Sequence, residues 1–226
     1  LHPEDNGLPF SITKFEVKNA ISTLKKKKAK DGSNLVAEHL QSAKEPVTKF
    51  LTPVINKIIE SSDIPDDLNE GITHPIQKKG KQINISGNHR GITISPIITK
   101  VMDKISLQHQ KASVTRNKND MQYGFSEGRS GVHAAFLLNE CINESRETKT
   151  PLYAASLDAQ KAFDVLRHES LLDKLHEKGL ANTWWNLKDS SYKELTTRVI
   201  WDSKLSNPIK MKQGNRQGAF PSPDDY

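Results

Sequence analysis

The sequence predicts a mixed α/β domain of the α+β kind, with helices outnumbering strands. Apolar residues recur at helical spacing in several separate stretches, and short alternating or apolar runs lie scattered between them. A length of 226 residues is enough to bury roughly 70% of the surface that an unfolded chain exposes. No disulfide or metal staple is needed.

Thr13 and Glu16 have capping-box spacing, and Val17, Ala20, Ile21 and Leu24 follow with helical period, so a first amphipathic helix starts there. Asp31-Gly32 marks a turn. After Pro46, the residues Val47, Phe50, Leu51, Val54, Ile58 and Ile59 predict a second helix, with a kink expected at Pro53 and an end at Asp63-Ile64-Pro65. The pattern then changes to alternation. Ile72, His74 and Ile76, the turn Lys78-Lys79-Gly80-Lys81, and Gly91 to Ile94 predict two short strands joined by a basic loop. Ile97, Ile98, Val101, Met102 and Ile105 predict a third helix. Val132, Ala135, Phe136, Asn139 and Ile142 predict a fourth, after the glycine-rich turn Gly124 to Gly131. Leu152 to Leu157, bounded by Pro151, reads as a buried strand that ends on Asp158. Leu171, Leu172 and Leu175 predict a short helix closed by Gly179, and Trp184, Leu187, Lys188 and Ser191 another. Thr197 to Trp201, Asp202-Ser203 and Pro208 to Met211 predict a hairpin. His168 and His176 read as helix-surface residues.

Charge narrows the function. The chain carries 33 Lys+Arg against 27 Asp+Glu. Residues 1–120 hold 19 basic and 13 acidic side chains, whereas residues 121–226 hold 14 of each. A basic first half suits a polyanionic partner, and equally suits simple solubility. The single cysteine, Cys141, excludes a disulfide framework and any zinc site built on paired cysteines, which fits a reducing compartment. The longest wholly apolar run, Ala134 to Leu138, is five residues where a membrane span needs about twenty, so no membrane partner is expected. LHPEDNGLPF lacks a secretory-signal pattern, and a start without Met raises the expectation of a fragment.

The segment SLDAQKAFD places Asp158 where an apolar run gives way to a turn, with Asp164 six residues on. Two readings stand side by side. Asp158 caps a following helix, or it is a metal-binding carboxylate of the kind that phosphoryl transfer uses.

Seven blocks add to this: KAKDG at 28–32, IPDDLNEG at 64–71, PIQKKGK at 75–81, NHRGITI at 88–94, QYGFSEGRS at 122–130, SLDAQKAFD at 156–164 and QGNRQGAFPSP at 213–223. In this order they resemble the reverse transcriptases of non-LTR (LINE-type) retrotransposons, over nearly the whole chain from about Phe10. The resemblance implies right-hand polymerase fingers and a partial palm, with residues 1–150 as fingers and connecting elements and 151–226 as palm. Asp158 then matches the first catalytic aspartate, ligand to two Mg²⁺ ions. Lys78 and Arg90 match the cations that hold the triphosphate, and Lys79 and Lys81 are candidates for nucleic-acid backbone contact. Phe163 matches the aromatic position under the nucleotide sugar, where a ring excludes a 2′-hydroxyl sterically. Gln217 and Gly218 match the block that lines nucleotide and template. Ala219, Phe220, Pro221 and the pair Asp224-Asp225 depart from the family pattern.

The implied partners are an RNA template, a DNA primer and deoxynucleoside triphosphates, and the implied compartment is the nucleus. The second catalytic aspartates and the thumb find no match, so the chain alone is expected to be inactive. The alternative is a non-enzymatic nucleic-acid-binding remnant of a retroelement.

Overall fold

Thr13 caps the first helix as its spacing requires: the Glu16 N–H donates to the Thr13 hydroxyl at 3.3 Å and the Thr13 N–H to the Glu16 carboxylate at 2.7 Å, which starts α1 (Lys14–Ser22). The computed structural model describes residues 10–115, 119–124, 126, 128–159 and 161–215. After α1 come α2 (Ala37–Ser42), α3 (Lys44–Ser61), α4 (Asp66–Asn69), β1 (Glu70–Gln77), β2 (His89–Ile94), α5 (Ile97–Thr115), α6 (Gly131–Thr148), α7 (His168–Glu177), α8 (Asn182–Lys193), β3 (Thr196–Trp201), β4 (Lys204–Leu205) and β5 (Ile209–Lys210). This is a mixed α/β fold with a small open sheet. No helix among the described residues is long and apolar enough to cross a membrane.

The core is helical. Val17 and Ile21 of α1, Ile55 and Ile59 of α3, Val101 and Ile105 of α5, and Trp184 and Leu187 of α8 are buried together in one cluster. α3 continues through Pro53, which stands on its exposed side, where water can take the place of the missing intrahelical hydrogen bond.

Polar side chains fix how the helices meet. Asn56 on α3 mimics a strand partner for Ile12, accepting from its N–H at 2.7 Å and donating to its carbonyl at 3.0 Å. Gln41 donates to the carbonyls of Ile21, Ser22 and Leu24 and so satisfies the end of α1. Lys188 on α8 faces Asp103 on α5 at 3.5 Å; burial pulls its ammonium pKa down, but the Asp103 carboxylate and Tyr192 outweigh that and move it up. Glu16 meets His109 at 2.6 Å. Burial would raise the Glu16 carboxyl, yet hydrogen bonds from Thr13 and His109 hold it below its ordinary value.

Asp31 of KAKDG does more than mark a turn. It is buried; one carboxylate oxygen accepts from the N–H groups of Ser33 and Leu35 at 3.0 and 2.8 Å, and the other from Ile97 at 2.9 Å, the first residue of α5. The carboxylate thus ties a loop of the first helical pair to the helix that leaves β2, 66 residues later. Asp31→Asn turns an amide NH₂ toward an N–H and is expected to cost about 2 kcal/mol. Urea unfolding checks this, and an unchanged midpoint would refute the bridge.

The sheet has the order β2-β1-β3-β4, with β5 also on β3. β1 and β2 form the predicted antiparallel hairpin, in register Ile72↔Ile94, His74↔Ile92 and Ile76↔Arg90. β3 joins β1 in parallel, Glu70↔Thr196 through Thr73↔Val199. Across the three strands runs a row of hydroxyls: Thr73 Oγ1 lies 2.8 Å from Thr93 Oγ1 and 2.7 Å from Thr197 Oγ1, and the latter donates to the Gly71 carbonyl at 3.1 Å. The predicted hairpin after residue 196 also forms. Its two-residue turn, Asp202 (φ 48°) and Ser203 (φ 60°), has the positive φ pair of a type I′ turn, and its return strand is split into β4 and β5. Sheet and helical core both draw on residues before and after position 150.

Two expectations are corrected. Residues 152–157 do not form a buried strand; the stretch 151–159 belongs to no element, with Tyr153 90% and Leu157 97% exposed. An apolar run becomes a strand only beside a neighbour that takes its backbone hydrogen bonds, and no strand among the described residues pairs with it. His168 is not a surface residue of its helix. It is half-buried, stacks on Tyr192 of α8 with ring centroids 4.3 Å apart, and donates through Nε2 to the Gly214 carbonyl at 2.8 Å.

Candidate functional site

The β1–β2 hairpin collects the cations. From Gly71 to Met102 there is no acidic residue and there are five basic ones, Lys78, Lys79, Lys81, Arg90 and Lys100. Arg90 stands opposite Ile76, and the Lys78 N–H continues the ladder by donating to the Asn88 carbonyl at 2.8 Å. Lys78 directly follows β1 and bonds to Asn88, two residues before Arg90 in β2, so both cations stand at the same end of the hairpin. The Lys78 ammonium donates to the Gly87 carbonyl at 2.9 Å, which orients it along the hairpin and leaves two of its donors over. Arg90 is exposed, and its guanidinium has no hydrogen bond or ion pair among the described residues. Lys79 and Lys81 are exposed on the connecting loop.

A second assembly forms around Phe163. Residues 161–164 make a turn in which the Asp164 N–H donates to the Lys161 carbonyl at 2.8 Å. Gly214 and Asn215 dock on it: the Gly214 N–H donates to Leu166 O at 2.7 Å and the Asn215 N–H to Phe163 O at 2.8 Å. The approach is close enough to require glycine, because Gly214 has φ +87° and a Cβ there would lie 3.0 Å from the Asp164 carbonyl oxygen. His168 holds the same loop from the other side. Two motif blocks about fifty residues apart, SLDAQKAFD and QGNRQG, are therefore in direct contact. The Phe163 ring is exposed. Gln217 and Gly218 lie outside the described residues.

Asp158 is exposed, in the irregular stretch before this turn, with no hydrogen bond or ion pair among the described residues. It caps no helix; α7 begins at His168, after Arg167. Nothing joins it to Lys78 or Arg90 by hydrogen bond or ion pair. Two-ion chemistry needs acidic ligands around ions about 3.5–4 Å apart. Among the described residues no three His, Cys, Asp or Glu side chains converge, so the donor set there does not fit a two-ion centre.

A family profile described as "Reverse transcriptase (RNA-dependent DNA polymerase)" matches residues 76–224, from the end of β1 across both assemblies. The chain belongs to the reverse transcriptase family. Among its relatives, a probable RNA-directed DNA polymerase from transposon BS of Drosophila melanogaster is 24% identical over 98% of this chain and 25% of its own length. The RNA-directed DNA polymerase from mobile element jockey of the same species is 26% identical over 99% of this chain and 25% of that protein. A transposon TX1 uncharacterized 149 kDa protein of Xenopus laevis is 23% identical over 93% of this chain and 16% of that protein. This reverse transcriptase chain thus resembles proteins of non-LTR elements and spans about a quarter of the length of the first two.

Sequence reasoning missed the residues that act through others. Asp31 lies in the KAKDG block and reads there only as a turn residue, and His168 reads as a helix-surface residue, since neither side chain type tells of a partner 66 or 46 positions away. Gly214 carried a signal, a glycine inside a recognisable block, and its requirement emerges only from the neighbouring backbone.

Proposed function

We propose that this chain forms the fingers and part of the palm of an RNA-directed DNA polymerase of a LINE-type element, with residues 1–150 as fingers and connecting elements and 151–226 as palm. The single observation that carries the reading is that Lys78 and Arg90 stand at the same end of the β1–β2 hairpin, in the stretch Gly71 to Met102 that holds no acid. A triphosphate suits them. Arginine presents a planar fork to two phosphate oxygens, and lysine a compact point charge, so together they neutralise charge on the phosphate oxygens during transfer.

The remaining roles follow from the resemblance. Phe163 lies under the sugar and excludes a 2′-hydroxyl, Gln217 and Gly218 line the base pair, Lys79 and Lys81 meet nucleic-acid backbone, and Asp158 serves the reacting end of the nucleotide. Such an enzyme extends a DNA primer on an RNA template, in the nucleus. The family resemblance implies magnesium, and among the described residues no three His, Cys, Asp or Glu side chains converge to hold it.

The test is to graft residues 10–218 into an intact relative and measure primer extension. Arg90→Ala is expected to raise KM for the deoxynucleoside triphosphate about tenfold to a hundredfold, the worth of a hydrogen-bonded charge pair. An unchanged KM would remove the triphosphate from this hairpin.

A further inference from the structure

β1 and β3 stop pairing at Thr73↔Val199 and then diverge, since Pro75 has no N–H to extend a ladder and β3 turns into its type I′ hairpin. The divergence leaves a groove of about 460 Å³ lined by His74, Pro75, Ile76, Ile200, Trp201 and Asp202. At its rim stands Trp201, 53% exposed, its ring 5.4 Å from that of His89 at an interplanar angle of 79°. Edge-to-face contact with His89 steadies the indole and leaves ring surface open to solvent. Burying that much aromatic area is favourable, and an exposed tryptophan held in place by a neighbour points to a partner with a flat apolar face.

The surroundings specify that partner by charge. One wall belongs to the acid-free stretch Gly71 to Met102. Lys204 sits directly opposite Trp201 in the β3–β4 ladder and is exposed. Arg198 is paired with Glu70 and Lys210 with Glu194, so the cations left over beside Asp202 of the groove are Lys204 and Lys212, both exposed and without an ion pair among the described residues. An apolar protein partner would gain nothing from this excess. A single-stranded nucleic acid offers both a π-face for the indole and phosphates for the cations, whereas a duplex hides its bases.

We propose that the open end of the sheet binds single-stranded nucleic acid, one base stacking on Trp201 beside His89 and the adjoining backbone lying on Lys204. The identification of that strand as the template rests on the polymerase reading above; the stacking itself does not.

Fluorescence anisotropy of this chain with a labelled short oligouridine, and with a blunt duplex of equal length, tests it. Trp201→Ala is expected to weaken oligouridine binding about tenfold or more at fixed salt, with the salt dependence unchanged and duplex binding unaltered. Trp201→Phe keeps a stacking face and should retain most of the affinity. Lys204→Ala should instead make the salt dependence shallower for the single strand. Equal single-strand affinity in wild type and Trp201→Ala, or equal losses on single strand and duplex, would overturn the platform. Circular dichroism of each variant guards against unfolding, which would weaken Trp201→Phe and Trp201→Ala alike. Triphosphate affinity, measured in parallel on wild type and Arg90→Ala, separates the two readings: a loss there with no effect of Trp201→Ala retires the platform and leaves the nucleotide site standing.

Discussion

Asp158→Asn in the grafted polymerase is expected to lower primer extension by about 10³-fold or more, the scale on which a single charged group acting at the transferring phosphate changes a rate. The same substitution should leave stability within about 0.5 kcal/mol of wild type, because it lies on an exposed surface away from any packed feature. Asp158 is solvent-exposed and bound to nothing among the described residues, so the asparagine disturbs no hydrogen bond or ion pair seen there. This separation of effects is what makes the experiment informative. A buried structural carboxylate such as Asp31 would lose stability first and activity as a consequence. Asp158→Asn with ordinary extension would remove the acid from the chemistry, and a large drop in melting temperature would assign it a structural role.

Gly214→Ala is expected to destabilise the chain by about 3 kcal/mol, through two terms that act together. A residue with a Cβ is strained at φ +87° by roughly 1–2 kcal/mol. The new methyl would also press on the carbonyl oxygens of Asp164 and Phe163 at 3.0 and 3.2 Å, and backbone atoms cannot rotate away as a side-chain end can. Relief means lifting the loop, which breaks the Gly214–Leu166 and Asn215–Phe163 hydrogen bonds and frees His168. Amide hydrogen exchange reads this directly. Protection at Gly214 and Asn215 should fall while α1, α3 and α5 keep theirs; full protection in the variant would show that the close approach is not maintained in solution. In the grafted enzyme, movement of the Phe163 turn should also relax sugar discrimination.

Much of the local structure was legible because it is locally determined. The T-x-x-E box of α1, the period of α3 and α5 and the alternation of β1 and β2 act within one or two turns of chain, and the structure reproduces each. The Asp202-Ser203 turn was legible for the same reason. Elements set by distant partners were not. Residues 152–157 have the composition of a buried strand and remain exposed, since composition records what a segment can do and the edge beside it decides what it does. The two shortest helices, α2 and α4, have too few residues for a period to show. The same division applies to the site. Lys78, Arg90, Asp158 and Phe163 could be picked out as motif positions, whereas Asp31, His168 and Trp201 acquire meaning from residues they meet across the fold.

The parallel pairing of β1 with β3 also sets the order in which the molecule is made. Its ladder and its hydroxyl row join residues more than 120 positions apart. During synthesis the ribosome delivers the β1–β2 hairpin and the partners α1, α3 and α5 long before Trp201 emerges, so the inner edge of β1 stays bare through that interval, open to whatever strand drifts past. Closing so long a loop is slow, so that edge is open to mispairing until β3 arrives.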